Sequence, residues 1–346
     1  MTLKSRGKDY IRKIVVKSHV LDLAGHFASP SAVILMYHSV RDDPRQHSDL
    51  ISPDITHATS IFSRQMEIVA REFAPVTLDN ILLFLRGGAP LPRRAVAITF
   101  DDGFADNAET AAPILDRFGI RGAFYATVDL IGTLKAPWYC RLRYAFLTTR
   151  RTQWTDAISG HTLNLRDPGS REAALQVAFD RCAPMVAYTQ EEFVRGIEST
   201  LEVKGHTVDR PVMMNWDQIR SLRSSGHTVG SHTLTHPNVA HVTDDKSLHR
   251  ELAESKRRIE DELGAEVIHF SYPHPALNPQ WNEKTVKATG LAGYKSAVTT
   301  TVGRVPQSAD PLCLRRVRAP LPENRFRSAL SCTFLGLRDR YPKFGF

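Results

Sequence analysis

Nowhere in this chain do eighteen apolar residues run together, so no transmembrane span is expected. Cysteine is scarce: four in 346 residues, with no Cys-x-x-Cys pair. Cys140, Cys182, Cys313 and Cys332 lie too far apart in sequence to suggest a disulfide scaffold or a thiolate zinc site. Reduced, packed thiols are the simplest reading. The basic N-terminus is not followed by an apolar core of signal-peptide length, because Lys and Arg interrupt it. There is no internal repeat and no low-complexity stretch. No glutamate follows His232, which excludes the His-Glu-x-x-His arrangement of zinc proteases.

What remains is a globular composition, 42% apolar and 24% charged, with enough chain for one large domain or two ordinary ones. Single α/β barrels commonly reach this size. Lys and Arg number 45 against 37 acidic residues, a net charge of +8. That balance suits an anionic partner such as a membrane surface or a charged glycan, and solubility accounts for it just as simply. No nucleic-acid-binding module is recognisable, so no nucleic acid is expected as a partner. Basic charge gathers at the start, where Lys4, Arg6, Lys8, Arg12, Lys13 and Lys17 face only Asp9. Ile11, Ile14, Val15 and Val20 follow at roughly helical spacing. Residues 1–30 therefore read as a basic amphipathic segment. Residues 1–20 either make peripheral contact with an anionic membrane or dock as a helix with a solvated face. Without an export signal the expected location is the cytoplasm, with the inner face of the membrane as the variant.

Continuous apolar runs at 32–37, 95–100, 122–127, 227–231, 267–272 and 296–300 have the look of strands buried on both faces. Helical patterns lie between them, at 77–86, 107–118, 216–225 and 246–263, and each stops at a glycine: Gly87, Gly119, Gly226 and Gly264. Buried strands alternating with such helices imply an α/β fold with a mostly parallel sheet, whose site collects at the C-terminal strand ends. His38, Asp101, Asp102, His232, Pro273 and His274 all sit at such ends. Between residues 130 and 211 the rhythm breaks, with helical patterns at 172–183 and 190–201 and the aromatics Trp138, Tyr139, Tyr144 and Trp154. This stretch, about 133–211, reads as a helical insertion over the strand-end face, a lid or substrate wall.

Asp101-Asp102-Gly103 puts two carboxylates at one strand end, and a turn at Gly103 can bring both to the rim. One can then bind a cation while the other takes a proton. His232-x-x-x-His236 on a helical turn would share a face and suit a tetrahedral ion; the alternative is two exposed or capping histidines beside Pro237. Two His and one Asp make an open three-ligand site, and the spare Asp can serve as a base, which is equipment for metal-assisted hydrolysis. His38 is positioned to protonate a leaving group, or else to hydrogen-bond locally at its strand end.

Thr99-Phe100-Asp101-Asp102-Gly103, Ser231-His232-Thr233-Leu234-Thr235-His236 and Phe270-Ser271-Tyr272-Pro273-His274 resemble, in order, three motifs of the polysaccharide deacetylases, the NodB-homology or family-4 carbohydrate esterases. Trp216-Asp217-Gln218-Ile219 and Glu254-Ser255-Lys256 add support, and the likeness spans about 32–320. It implies a distorted (β/α)7 barrel over 31–330, with 331–346 as a C-terminal tail. It also implies hydrolysis of N-acetyl groups on aminosugars of a polysaccharide, oligosaccharide or glycan precursor. By it Asp102, His232 and His236 resemble ligands of a divalent metal, usually Zn2+, and Asp101 the catalytic base. Leu35-Met36-Tyr37-His38 looks like the catalytic-histidine motif that one branch, the exopolysaccharide deacetylases, carries at the N-terminus, which makes His38 the candidate acid. Tyr272, Pro273 and His274 are candidates for the oxyanion and substrate. Ser271 stands where the family has the arginine that orients the base; Arg315 or Arg316 is expected to supply it instead. His274 and Pro275 replace a Tyr and a Gly. No aspartate that would orient His38 is evident. These departures leave open an amidase or deformylase acting on a sugar nucleotide, lipid-linked sugar or other small amide. A non-catalytic glycan-binding relative is a third reading.

Overall fold

Ser31–Tyr37 (β1) is buried along its whole length, which requires cover on both faces. In the computed structural model, which describes residues 30–204, 211–273, 278–321 and 325–337, a closed barrel provides that cover. Its staves are β1, Ala95–Phe100 (β2), Gly122–Ala126 (β3), Thr228–Ser231 (β4), His269–Ser271 (β5), Ser296–Val302 (β6) and Leu314–Arg318 (β7). Each pairs in parallel with the next in sequence, and β1 closes on β2 in register from Ala32↔Ala95 to Tyr37↔Phe100. β7 completes the ring against β1 through Leu35↔Val317 and Met36↔Arg318. The ring is irregular: the β6–β7 register shifts between Val298 and Val302, and β4 meets β5 at the single pair Ser231↔Phe270. This is the distorted (β/α)7 barrel expected from the sequence.

Side-chain parity organises the rest. Val33, Leu35 and Tyr37 of β1, Val96, Ile98 and Phe100 of β2, and Phe270 and Tyr272 by β5 pack outward against the helices. Ala32, Ile34, Ala95, Ala97, Ala123 and Leu314 fill the interior, with mostly small side chains. The outer layer includes Thr59–Glu72 (α1), Ala112–Arg117 (α3), Trp216–Ser224 (α7) and Ser255–Leu263 (α8), whereas Leu78–Leu85 (α2) packs Leu78 and Ile81 against the interior residues. α2 and α7 open on capping boxes, Thr77 with Asn80 and Asn215 with Gln218. α8 stops at Gly264 with φ +58°, the left-handed end that its glycine allows.

The stretch expected to be an insertion contains a separate apolar cluster. Trp138–Thr148 (α4), Pro168–Cys182 (α5) and Ala187–Thr200 (α6) enclose Leu142, Phe146, Trp154, Leu165 and Val194. α4 was not foreseen, and a short hairpin of Gln153–Thr155 with Thr162–Asn164 accompanies it. The boundary expected at residue 330 falls inside a helix, Phe326–Phe334. Phe326, Leu330 and Phe334 belong to the main core, so no tail begins there. The basic segment at 1–20 and its expected membrane contact lie outside the described residues. Among the described residues no helix is long and apolar enough to cross a membrane. No disulfide joins two cysteines among the described residues.

Candidate active site

The carboxyl ends of β2, β4, β5 and β7 bring the key groups together. After Asp101 the chain turns sharply: Asp102 has φ +75° and Gly103 φ +86°. At Gly103 a Cβ would also lie 3.2 Å from the Ala126 Cα, so the turn needs glycine. Both aspartates are thereby buried at the rim, each 3% exposed. Asp102 Oδ1 lies 3.3 Å from Nε2 of His232 and 3.3 Å from Nε2 of His236. The three side chains offer ligand atoms all within 4.8 Å of one another, and no other such group occurs among the described residues.

The histidines are not on a helical turn, contrary to expectation. They flank an irregular loop in which Thr233 and His236 take φ +68° and +65°. Backbone strain of this kind costs on the order of 1–3 kcal/mol per residue and is held by surrounding bonds. Glu251 accepts from the backbone N–H of Leu234 and Thr235 and from the Thr235 hydroxyl. Val128 and Asp129 donate to the carbonyls of Thr233 and Leu234. The two rings thus converge without helical geometry.

The donor set fits a divalent ion. His232 donates Nδ1–H to the Ser271 carbonyl at 2.8 Å, which orients the ring with Nε2 toward Asp102. His236 Nδ1 is buried and has no partner among the described residues. Burial pushes the Asp102 pKa up, but hydrogen bonds from His232 and His236 outweigh it and hold the carboxyl well below its usual range.

Asp101 faces inward beside this cluster. Arg316 forks onto it at 2.8 and 2.6 Å, and Ser271 Oγ donates to it at 3.1 Å. The guanidinium is itself fixed by the Thr299 carbonyl and Thr99 Oγ1. Arg316 is 1% exposed, whereas Arg315, of opposite parity, is exposed to solvent. Of the two arginines expected to replace the one absent at Ser271, the barrel brings Arg316 to Asp101 and turns Arg315 away. Burial raises the Asp101 pKa, but the charges of Arg316 and His232 and the Arg316 hydrogen bonds win, so the net shift is downward.

His38 follows β1 with inward parity and is half-buried. Burial lowers its pKa; Asp102 and Asp101 offset part of this, and Arg316 and Arg318 add to it. No carboxylate hydrogen-bonds its ring among the described residues. Its backbone is held instead: the Asn107 side-chain amide donates to the His38 carbonyl at 2.5 Å. Asp106 accepts from Ser39 Oγ, the Val40 N–H and Arg41 Nε at 2.6, 3.2 and 2.9 Å.

The oxyanion candidates fare unevenly. Tyr272 shares the outward parity of Phe270, with ring centroids 5.1 Å apart, so its side chain lies in the helix-side core and not at the cluster. Pro273 is buried beside it, and His274 lies outside the described residues. The sequence reading missed Tyr139, whose hydroxyl donates to Asp102 Oδ2 at 2.6 Å, and whose pKa is raised by burial and then by the Asp102 charge. Its only sequence signal was an aromatic pair, Trp138-Tyr139, inside a polar insertion. Asp106-Asn107 carried a fainter one, their closeness to Asp101-Asp102. A hydrolase-like Ser296–His269–Asp79 array at the opposite end of the barrel, with contacts of 2.7 and 3.1 Å, is sealed: Ser296 is 0% exposed. It satisfies a buried histidine and offers no nucleophile to solvent.

Fold and site define a class, an α/β barrel with a cation-type cluster at its carboxyl rim beside an arginine-held aspartate. Residues 193–297 match the family model described as polysaccharide deacetylase. YxkH of Bacillus subtilis (strain 168), named for that family, is 26% identical over 123 residues, 36% of this chain; the chain spans only 42% of that relative's length. The deacetylase PplD of Streptococcus pyogenes, solved in complex with acetate, superposes with a TM-score of 0.58 at 16% identity, covering 88% of this chain and 99% of that one. IcaB from Ammonifex degensii gives 0.55 at 16% identity, covering 89% and 98%. At such identities the structural likeness speaks for the fold. Over residues 193–297 the chain is thus similar to the polysaccharide deacetylases, the NodB-homology proteins.

Proposed function

We propose that the protein is a metal-dependent hydrolase that removes N-acetyl groups from aminosugars of a polysaccharide, oligosaccharide or glycan precursor. One observation carries this reading. Asp102, His232 and His236 converge while a second carboxylate, Asp101, is held beside them by a buried arginine. A protein that only bound glycans would have no use for that second, tethered carboxylate.

Asp102, His232 and His236 would hold the ion, most simply Zn2+. When bound, such an ion polarises an acyl oxygen and acidifies water from a pKa of about 15.7 toward about 7. Asp101 receives the proton of the attacking water. Arg316 keeps it ionised and aims its free edge, since both guanidinium contacts and Ser271 lie on fixed strands. His38 protonates the departing amine, which leaves an amide poorly without a proton; general acid–base help of this kind contributes about 10²–10⁴ in rate. Burial that lowers the His38 pKa makes its imidazolium a stronger acid.

The test is acetate release from a panel of N-acetylated sugars, sugar nucleotides and oligosaccharides, with chelator and with metal restored. Release abolished by chelator and recovered with Zn2+ is expected. No release from any member by the metal-loaded protein would refute the reading.

A further inference from the structure

The two oxygens of Asp102 have different surroundings. Oδ1 lies 3.3 Å from each histidine Nε2, whereas Oδ2 accepts the phenolic hydrogen of Tyr139 at 2.6 Å. The preceding residue, Trp138, donates its indole N–H to the His236 backbone carbonyl at 3.2 Å. The Tyr139 ring lies 5.2 Å from the His236 ring. Both residues open α4, and Trp138 is rooted in the separate apolar cluster of that stretch. Consecutive side chains of the insertion thus each grip one member of the cluster.

We propose, on the basis of the metal-dependent reading above, that Tyr139 is a positioning residue that confines Asp102 to one ligating oxygen. With Trp138, it makes the insertion a working part of the metal site. A carboxylate with both oxygens free can chelate through both and fill a coordination position. An O–H donor on Oδ2 leaves Oδ1 alone for the ion and keeps a position open for water or substrate. At 2.6 Å the bond lies in the strong, charge-assisted range, so it fixes the carboxylate's rotation as well.

Tyr139→Phe keeps the ring against His236 and removes only the donor. The full chain, stripped of metal, is titrated with Zn2+ against a chromophoric chelator and with Co2+ by visible absorption. Zinc affinity is expected to fall about ten- to hundredfold in Tyr139→Phe. Its cobalt bands should weaken per bound ion as the second oxygen joins and the coordination number rises. Trp138→Phe, which touches the loop but not Asp102, should lower affinity with the cobalt bands unchanged, so general loosening is told apart from a change in ligation. A Tyr139→Phe cobalt spectrum identical to wild type overturns the one-oxygen role, whatever the affinity. Unchanged zinc affinity in both variants overturns the insertion's part in the site. Wild-type protein that binds neither ion would instead remove the functional reading, and this inference with it.

Discussion

Arg316 and Asp101 form an ion pair sealed from solvent, their side chains 0% and 5% exposed. Breaking such a pair by removing one partner typically costs about 3–5 kcal/mol, because a charge is left buried and alone. Asp101's folded-state pKa is depressed. Its contribution to stability is therefore fully present above the unfolded aspartate value of about 3.9 and is lost as pH falls through the folded value. On the proposed mechanism the same depression sets the acid limb of the rate profile, below which Asp101 is protonated. Arg316→Lys keeps a charge but not the fork, so Asp101 should become more basic and less well aimed. The expected outcome is a loss of about 10²-fold in kcat, with the low-pH limb of the kcat/KM profile moved to higher pH. A limb that stays in place would separate Arg316 from the base.

Between strands and site stand the short connections that aim the side chains. Val40 and Ser39 lie just past β1, and Asp106 grips both while Asn107 holds the His38 carbonyl. Asn107 also begins a π-helical turn, Asn107–Ala111, a local unwinding often found at functional sites. On the proposed mechanism this connection serves the acid, His38, and not the base, which separates two substrates. An amide nitrogen needs a proton to leave; the phenolate of p-nitrophenyl acetate does not. Asn107→Ala should therefore slow amide hydrolysis by a large part of the about 10²–10⁴ ascribed to general acid help, and leave aryl acetate hydrolysis nearly intact. Equal losses on both would mean that Asn107 supports the site at large and not His38.

The folding equilibrium as a whole carries a buried histidine that no motif flagged. His57 is 3% exposed, packs edge-on against Tyr37 at 4.8 Å, and has no well-formed hydrogen bond at either ring nitrogen among the described residues. Burial, then repulsion by His38, pushes its pKa down to about 4. The unfolded chain binds this proton at about 6.5, so between these values the unfolded state holds more protons and stability rises with pH. The loss on acidification amounts to about 3 kcal/mol. His57→Phe, melted in chelator from pH 7 to pH 4, should lose less thermal stability than the wild type over that interval. Parallel curves would show that His57 is not the group that titrates.

Much of this was legible in the chain alone. Glycine-terminated helices between short apolar runs marked a parallel α/β fold, because each such run must be buried on both faces. Asp101-Asp102-Gly103 needed no distant information either: the turn that brings both carboxylates to the rim depends on its own glycine. Parity was illegible, since a strand covered on both sides shows no alternation of polar and apolar residues, and Arg315 could not be told from Arg316. Closing the barrel resolved it by fixing the register of β7 against β1 and delivering Arg316 to a carboxylate 215 residues earlier. Tyr139 reaches Asp102 across 37 residues and His38 lies opposite Asn107 across 69, contacts that no local pattern encodes. Local chemistry is written in neighbouring residues, whereas the partners of a buried charge are chosen by which strand ends the closed sheet sets side by side.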